Sequence, residues 1–252
     1  MTTVRPGGGP EGTDRIADEA LRVLRDADPQ SLPVVTVSWA MSVTGAIAAA
    51  DGARTALSGP ESLLLTHRLR AMHQAILVGI QTVLSDDPLL SVRLVQGAQP
   101  QPVVLDSRLR LPPGVKLLSR TDRKPWVFHL EGGEPAVREA VRERGRVLVA
   151  AGARLFPVQR GRGGLDLRQV LARLRGEGIH SLMVEGGAHV LGSFMSQGLA
   201  SQAVITISPK VIDGIEGPQV QQTGRTLRER YGTDEVVWID FRARSSGRSA
   251  RG

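Results

Sequence analysis

Short apolar runs of strand length alternate with helical patterns along most of this chain. The runs are rich in β-branched and other aliphatic residues, which favours buried strands over helices. They lie at residues 34–39, 75–78, 102–105, 126–129, 147–149, 181–184, 203–207 and 236–239. Because strand and helix alternate, we predict an α/β fold with a mostly parallel central sheet flanked by helices and an antiparallel C-terminal edge.

The length of the chain sets the expected domain organisation. It has 252 residues, 41% of them hydrophobic, so it can bury one large core. Length alone also allows two small domains. We expect a leader and a helix over residues 1–30, one main domain over residues 31–241, and a basic disordered tail over residues 242–252.

Several classes of protein are disfavoured by what the sequence lacks. It contains no Cys, which removes disulfides, thiolate nucleophiles and Cys-based zinc sites. It has no signal-peptide pattern and no apolar run of membrane-spanning length, so we predict a cytoplasmic protein without a membrane partner. The five histidines show no metal-ligand spacing, and the common phosphate-loop, dinucleotide and zinc-protease motifs are absent. We therefore predict no metal site.

The positive charge of the chain is concentrated at its C-terminal end. The formal net charge is +7, and Arg242, Arg244, Arg248 and Arg251 all lie in the last eleven residues. Aromatic residues make up only 3% of the chain, which leaves few platforms for base stacking. We predict no nucleic-acid partner, whereas the mildly basic body suits a small phosphorylated ligand.

The stretch from Ala75 to Arg93 combines a buried strand with a group of polar residues. The strand ends at Gly79, which leaves no side chain above the strand end, so that a flat ligand could approach the backbone. Open α/β sheets bind ligands beyond the carboxyl ends of their strands. Thr82, Asp86 and Arg93 then supply a hydroxyl, a carboxylate and a cation. A ligand-free strand, short helix and turn would explain the same spacing.

Two further strand ends carry polar or glycine-rich turns. Ser107 and Arg108 follow one strand, and Gly186 and Gly187 follow another and lead directly into a helix over residues 188–196. Two glycines at a helix start expose backbone N–H groups at the positive end of the helix dipole, which favours a pyrophosphate. A plain tight turn accounts for the glycines equally well.

A predicted helix over residues 61–71 carries a second candidate group. Ser58 and Glu61 have the spacing of a capping box that would begin this helix. His67 and Arg70 lie three residues apart, so they are neighbours along the helix surface. A solvated arginine at the helix C-terminus, stabilised by the dipole, is the alternative interpretation of Arg70.

The longest of these motifs resemble those of one enzyme family, the riboflavin-biosynthesis reductases. The stretch 75–93, AILVGIQTVLSDDPLLSVR, is similar to the core signature of that family, and the similarity continues through residues 102–112 and 182–188. It covers roughly residues 33–214 in the same order. Thr66–Arg70 resembles the stand-alone fungal and archaeal branch more than the reductase half of the bacterial bifunctional deaminase-reductase. No deaminase zinc signature precedes it.

The resemblance implies a dihydrofolate-reductase-like fold over the main domain, usually as a homodimer. It also implies that NADPH reduces a phosphoribosylamino-pyrimidine to the ribitylamino form. The cofactor carries the hydride chemistry, and the protein holds donor and acceptor within reacting distance.

The same resemblance assigns residues to the cofactor. Thr82 and Asp86 would contact it, Ser107 would bind the adenosine end, and Arg108 is a candidate for the 2′-phosphate. Main-chain N–H groups at the helix start would wrap the pyrophosphate. The full set is Met41, Gly79, Thr82, Asp86, Ser107, Arg108, Gly186, Gly187, Ala188, His189, Val190, Leu191, Gly192 and Ser193.

On the substrate side, the resemblance implies that Arg70 and Arg93 grip the 5′-phosphate, which a guanidinium group can do bidentately. Leu90 would pack nearby. Glu185 would hydrogen-bond the substrate and is the candidate catalytic residue for steering protons, although it could simply orient an amino group.

One departure from the family pattern concerns the turn after the first strand. The family pattern typically has a carboxylate and then a basic residue where this chain has Thr44 and Ala46. Thr44 can hydrogen-bond a substrate but cannot act as a base near neutral pH. The alternative is therefore a related NADPH-dependent reductase that acts on a different pterin-like or sugar-nucleotide-like substrate.

Overall fold

A ten-stranded sheet forms the centre of the molecule. The computed structural model describes residues 5–6, 14–28, 30–50, 55–132, 135–220 and 223–242. The strands are β1 Arg5–Pro6, β2 Val34–Ser42, β3 Ala46–Ala49, β4 Ala75–Gly79, β5 Gln101–Leu105, β6 Trp126–Leu130, β7 Arg154–Val158, β8 Arg160–Gly161, β9 Gly164–Leu165, β10 Ser181–Val184, β11 Gln202–Ser208, β12 Gly214–Glu216, β13 Arg225–Tyr231 and β14 Asp234–Asp240.

Helices pack on both faces of this sheet. They are α1 Arg15–Arg25, α2 Pro60–Met72, α3 Ile80–Asp86, α4 Lys116–Ser119, α5 Pro135–Ala150, α6 Leu167–Gly176 and α7 Ala188–Ser196. Within the described ranges, none of them is both long enough and apolar enough to cross a membrane.

The strand order of the central sheet is β1-β13-β14-β11-β2-β10-β4-β5-β6-β7. Every pairing from β11 to β7 is parallel, whereas β14 pairs antiparallel with both β11 and β13. The predicted fold class, a mostly parallel sheet with an antiparallel C-terminal edge, is confirmed. Two small antiparallel pairs, β3 with β12 and β8 with β9, lie outside the central sheet.

Strand β4 shows why the apolar runs of the sequence are uninterrupted. Ile76 and Val78 face a core that includes residues of α1, α2 and α5, while Ala75 and Leu77 face a second core that includes residues of α6 and α7. All four side chains are at most 1% exposed. Because helices cover both faces, neither set of alternate residues meets water. Full burial of an aliphatic side chain stabilises the fold by about 1.5–3 kcal/mol.

The strand predicted over residues 147–149 is wrong, because these residues form the last full turn of α5. Leu148 is buried, but Val147 and Val149 are 44% and 55% exposed. A three-residue apolar run does not distinguish a strand from one buried position on an amphipathic helix. The strand at this place in the sheet is β7, which pairs in parallel with β6.

The start of α2 is capped from a distant part of the chain, so the predicted capping box is wrong. Gly59 is the N-cap residue, no side chain of the capping turn caps it, and Pro60 is the first helical residue. The backbone N–H of Gly59 donates to Oδ2 of Asp234 at 2.7 Å, and the Ser62 hydroxyl donates to the same oxygen. A buried carboxylate on β14 therefore replaces the local cap.

Helix α1 packs on the same core as the sheet, through Ile16, Ala20 and Val23. Of the predicted basic tail, only Arg242 is described, and its guanidinium donates to Asp240 and to the carbonyl oxygen of Val23. The rest of the tail, residues 243–252, and most of the predicted leader lie outside the described residues.

Candidate functional site

A cavity of about 540 Å³ lies at the carboxyl ends of the neighbouring strands β10, β4 and β5. Its wall includes Gly79 and Thr82 after β4, Ser107 after β5, and Gly187 after β10. These strands are parallel and adjacent, so their carboxyl ends meet at one edge of the sheet, where α/β proteins place their ligands. Three turns that lie far apart in the sequence thus line one cavity.

Two glycines allow the helices around this cavity to approach the strand ends closely. A Cβ atom on Gly79 would lie 2.8 Å from Cγ2 of Val190, and one on Gly186 would lie 2.8 Å from Oγ1 of Thr82. Gly186 also has φ +119°, a conformation that favours glycine. The backbone N–H of Gly187 donates to Thr82 Oγ1 at 3.3 Å. The space above Gly79, expected to be open for a ligand, is occupied by Val190.

The predicted cofactor residues separate into two groups. The wall of the cavity includes Gly79, Thr82, Ser107, Arg108, Gly187, His189, Val190 and Ser193. Residues outside the wall are Met41, Asp86, Gly186, Ala188, Leu191 and Gly192. Leu191 is fully buried on the core side of α7. Met41 lies within β2 rather than after it, and Asp86 is at the last position of α3.

Four arginines line the cavity, and only Arg108 was predicted from the sequence. Arg110 lies on the same loop as Arg108, and Arg160 and Arg162 come from the β8–β9 hairpin. No hydrogen bond or ion pair joins these guanidinium groups to another described residue. The described lining also contains no Asp or Glu. A concave wall with cations and no anions concentrates negatively charged ligands.

A buried carboxylate shapes the loop that presents Arg108 and Arg110. Asp106 is fully buried, and its Oδ2 accepts a hydrogen bond from the backbone N–H of Leu111 at 2.8 Å. Burial raises the pKa of Asp106, while backbone hydrogen bonds from Leu111, Arg108 and Arg110 act in the opposite direction. Leu109, with φ +49°, lies between the two arginines. The carboxylate thus holds a turn that extends from Ser107 to Leu111.

Arg70 and Glu185 form a second group next to the cavity, because Glu185 precedes Gly187 by two residues. Nε and Nη2 of Arg70 lie 2.8 and 2.6 Å from the two carboxylate oxygens of Glu185, a bidentate pair. Both side chains are largely buried, at 13% and 14% exposure. Burial by itself would lower the pKa of Arg70, but the charge and hydrogen bonds of Glu185 raise it overall. Arg70 is therefore a charged partner of Glu185.

Arg93, like Arg70 and Glu185, lies near His67, but its side chain is exposed rather than buried. Its guanidinium forms no hydrogen bond or ion pair with a described residue. Its backbone N–H donates to Nδ1 of His67 at 3.1 Å. His67 is fully buried, and burial, together with the nearby charges of Arg70 and Arg93, lowers its pKa to about 4. The neutral ring therefore carries its proton on Nε2.

The loop between α3 and Arg93 is held by Arg120, a residue that was not predicted from the sequence. Arg120 is buried, and its Nη1 donates to the carbonyl oxygens of Leu89 and Leu90 at 3.1 and 3.0 Å. It also pairs with Asp122 and lowers the pKa of that carboxylate to about 2, mainly by hydrogen bonding. Leu90, with φ +48°, is buried in the core rather than exposed towards a ligand. No local sequence signal indicates this contact.

Thr44 does not line the cavity. It lies in the exposed turn after β2, and its hydroxyl donates to the carbonyl oxygen of Ile212 at 2.7 Å. The Ser42 hydroxyl lies 2.7 Å from Oγ1 of Thr44. The backbone N–H of Ile212 also donates to Thr44 Oγ1. Thr44 thus ties the turn to the loop before β12.

The mostly parallel sheet, with helices on both faces and an arginine-lined cavity at its strand ends, places the chain among the α/β domains. The chain belongs to the RibD C-terminal domain family, which matches residues 33–235. The predicted family resemblance is confirmed.

Relatives include stand-alone and longer proteins. The chain is 37% identical over 209 residues to the 2,5-diamino-6-ribosylamino-4(3H)-pyrimidinone 5′-phosphate reductase of Methanothermobacter thermautotrophicus, covering 81% of this chain and 88% of the relative. It is 32% identical over 203 residues to the riboflavin biosynthesis protein RibD of Aquifex aeolicus, covering 79% of this chain but only 52% of that relative.

Solved structures show the same fold. The riboflavin biosynthesis reductase Rib7 of Saccharomyces cerevisiae superposes with a TM-score of 0.70 at 22% identity, covering 90% of this chain and 97% of that chain. RibD of Acinetobacter baumannii superposes with a TM-score of 0.68 at 23% identity, covering 83% of this chain and 58% of that one.

Proposed function

We propose that this protein reduces a phosphoribosylamino-pyrimidine to its ribitylamino form in riboflavin biosynthesis, with NADPH as the reductant. The cavity supports this proposal most directly, since it combines four unpaired arginines with no described carboxylate at the carboxyl ends of a parallel sheet. Relatives that match most of the chain carry the name of a pyrimidinone phosphate reductase. The site and the family thus favour the same reaction.

The residues of the cavity suit a phosphorylated dinucleotide. Gly187 is the N-cap of α7, so the first N–H groups of that helix are available to a pyrophosphate near the wall. The arginines supply the positive charge that the phosphates of NADPH require. When bound, the cofactor supplies the hydride that reduces C1′ of the opened ribosyl chain. Thr82 and Ser107 would orient it from the other two strand ends.

The substrate would lie against Glu185 and Arg93. Arg70 already binds both carboxylate oxygens of Glu185, so the ionised carboxylate is held in one orientation. An ionised carboxylate accepts hydrogen bonds from N–H groups and cannot donate a proton. We assign Glu185 to accept N–H groups of the pyrimidine and Arg93 to bind the 5′-phosphate. Arg70 then acts by positioning Glu185.

Thr44 favours a second candidate, a reductase of the same family that acts on a different acceptor. Its hydroxyl is bonded to Ile212 rather than directed into the cavity. The family carboxylate that Thr44 replaces therefore has no substitute at this turn. This candidate keeps the NADPH site and changes only the substrate.

The proposal also includes a homodimer, which the family resemblance implies, and the cytoplasmic location predicted from the sequence. Sedimentation equilibrium of the purified protein would measure the oligomeric state. A concentration-independent monomer would contradict the proposed dimer without affecting the proposed reaction.

The test of the reaction uses the full chain. Saturating NADPH should raise the melting temperature and change the fluorescence of the three tryptophans. Adding the phosphoribosylamino-pyrimidine should then oxidise NADPH, whereas dihydrofolate should not. Oxidation with another acceptor only would favour the second candidate, and no response to NADPH or NADH would contradict both.

A further inference from the structure

The β8–β9 hairpin forms a wall of the cavity and is attached to α7. The ring of His189 bonds the carbonyl oxygen of Gly163, with 3.1 Å between Nε2 and the oxygen. Nε2 of Gln197 donates to the carbonyl oxygen of Arg162 at 3.3 Å. A Cβ atom on Gly163 would lie 3.7 Å from the hydroxyl of Ser193. The hairpin is therefore held against the helix that begins at the proposed pyrophosphate site.

Arg160 and Arg162 lie two residues apart on this hairpin, and both line the cavity. The loop after β5 supplies Arg108 and Arg110, so two separate elements each contribute two cations. Four guanidinium groups around one concave surface repel one another unless an anion neutralises them. None of them has an anionic hydrogen-bond partner among the described residues.

The positive charge exceeds what a pyrophosphate requires. A pyrophosphate carries two negative charges and is already served by the N–H groups at the start of α7. A further phosphate on the ligand would account for the additional arginines, since guanidinium groups bind phosphate oxygens bidentately.

We infer that Arg160 and Arg162 bind the 2′-phosphate of the cofactor and make the β8–β9 hairpin the element that selects NADPH over NADH. The inference rests on the proposed function and goes beyond it, because it assigns cofactor specificity to two residues outside the family motifs in the sequence. The hairpin would complete a phosphate site begun by Arg108.

The experiment measures the dissociation constants of NADPH and NADH for four proteins by tryptophan fluorescence. They are the wild type, Arg160→Gln, Arg162→Gln and the double variant. Each single change should weaken NADPH about tenfold, and the double change about a hundredfold, because charge-assisted bonds to phosphate are lost. Affinity for NADH, which lacks the 2′-phosphate, should change less than about twofold.

A matched control is Arg168→Gln. Arg168 is an exposed arginine in the first turn of α6, close to the hairpin, but it does not line the cavity. This change should leave both dissociation constants unaltered. Retained NADH binding by the double variant also shows that the protein has folded.

The outcomes separate this inference from the proposed function. Equal weakening of NADPH and NADH would mean that the arginines bind the shared pyrophosphate, and unchanged NADPH binding would mean that they bind neither group. Either result, or a wild type without preference for NADPH, overturns the inference but leaves the reductase intact. If the wild type binds neither dinucleotide, the proposed function fails as well.

Discussion

Arginines of the cavity wall and the arginine beside Glu185 differ in their burial and in their ion pairs. Around the cavity, Arg108, Arg110, Arg160 and Arg162 are exposed, and their guanidinium groups form no hydrogen bond or ion pair with a described carboxylate. Beside Glu185, Arg70 is buried and fully paired. A buried ion pair has already given up its hydration and fixes geometry, whereas an exposed unpaired cation is available to a ligand. The difference separates an arginine held in a buried ion pair from exposed arginines that are open to an anionic ligand, as the proposed function requires.

The largest expected effect comes from removing the paired cation. Arg70→Ala would leave the Glu185 carboxylate buried without its partner, so the free energy of unfolding should fall by about 3 kcal/mol. The value of kcat/KM should fall at least about a hundredfold, because the carboxylate loses its orientation. Urea denaturation and steady-state kinetics measure the two quantities.

Two further variants show whether pairing is the cause. Arg68→Ala is the control on the same helix, since Arg68 is 44% exposed and its ion pair with Asp14 should contribute less than about 1 kcal/mol. The double change Arg70→Met with Glu185→Met should recover much of the stability but no activity. If Arg70→Ala were as stable as the wild type, the positioning role would be wrong.

Removing the unpaired cation on the substrate side should affect binding only. Arg93→Ala should raise KM for the phosphorylated substrate roughly ten- to a hundredfold. The melting temperature and the dissociation constant of NADPH should stay unchanged, because the Arg93 side chain forms no hydrogen bond or ion pair with a described residue. A comparable loss of substrate and cofactor binding would contradict the assignment of Arg93 to the 5′-phosphate.

The packing between the cavity wall and α7 offers a test of smaller effect. Gly79→Ala would place a Cβ atom 2.8 Å from Cγ2 of Val190, so we expect a loss of about 1–3 kcal/mol of stability from overpacking. NADPH binding should weaken because α7 is displaced. The double variant with Val190→Ala should recover both properties, and failure to do so would show that Gly79 serves a ligand rather than the helix.

The smallest effect concerns protons. Burial is the main reason that the pKa values of His67 and His73 lie at about 4, below their ordinary value of 6.5. The unfolded chain therefore binds more protons between about pH 4 and pH 6.5, so stability should fall as the pH is lowered through this range and stay level above about pH 7. Denaturation at a series of pH values measures this slope.

The charge of Arg93 contributes to the low pKa of His67 but not to that of His73. Arg93→Gln should therefore raise the pKa of His67, measured by NMR titration, and leave that of His73 unchanged. An unchanged pKa of His67 would show that Arg93 is not close enough to act on it.

Local sequence predicted the strands that are buried on both faces, and it predicted one of the helices beside them. The runs at 75–78 and 181–184 became β4 and β10, and the helix over residues 188–196 was predicted with the observed bounds. The run at 147–149 failed because it has only one buried position. The predicted capping box of α2 was wrong because the acceptor at this helix start, Asp234, is 175 residues away from Gly59.

The candidate site was predictable only where each residue belongs to a strand end. Gly79, Thr82, Ser107 and Gly187 meet because their strands are neighbours in a parallel sheet. The hairpin arginines follow no such strand of the central sheet, and their Arg-Gly-Arg-Gly-Gly sequence at 160–164 was the only available signal. No sequence signal indicated the hydrogen bonds between Arg120 and the loop that contains Leu90.

By itself the sequence determined the α/β fold class and the turns at the strand ends, since apolar periodicity and glycine placement act over a few residues. The motifs at residues 75–93, 102–112 and 182–188 carried the resemblance to the family. Only the tertiary structure decided which charges are paired. Arg70 and Arg93 both matched a phosphate ligand in the sequence, yet Arg70 binds Glu185, 115 residues away, and Arg93 remains exposed. Electrostatic pairing depends on distance through space and on burial, and neither is encoded by spacing along the chain.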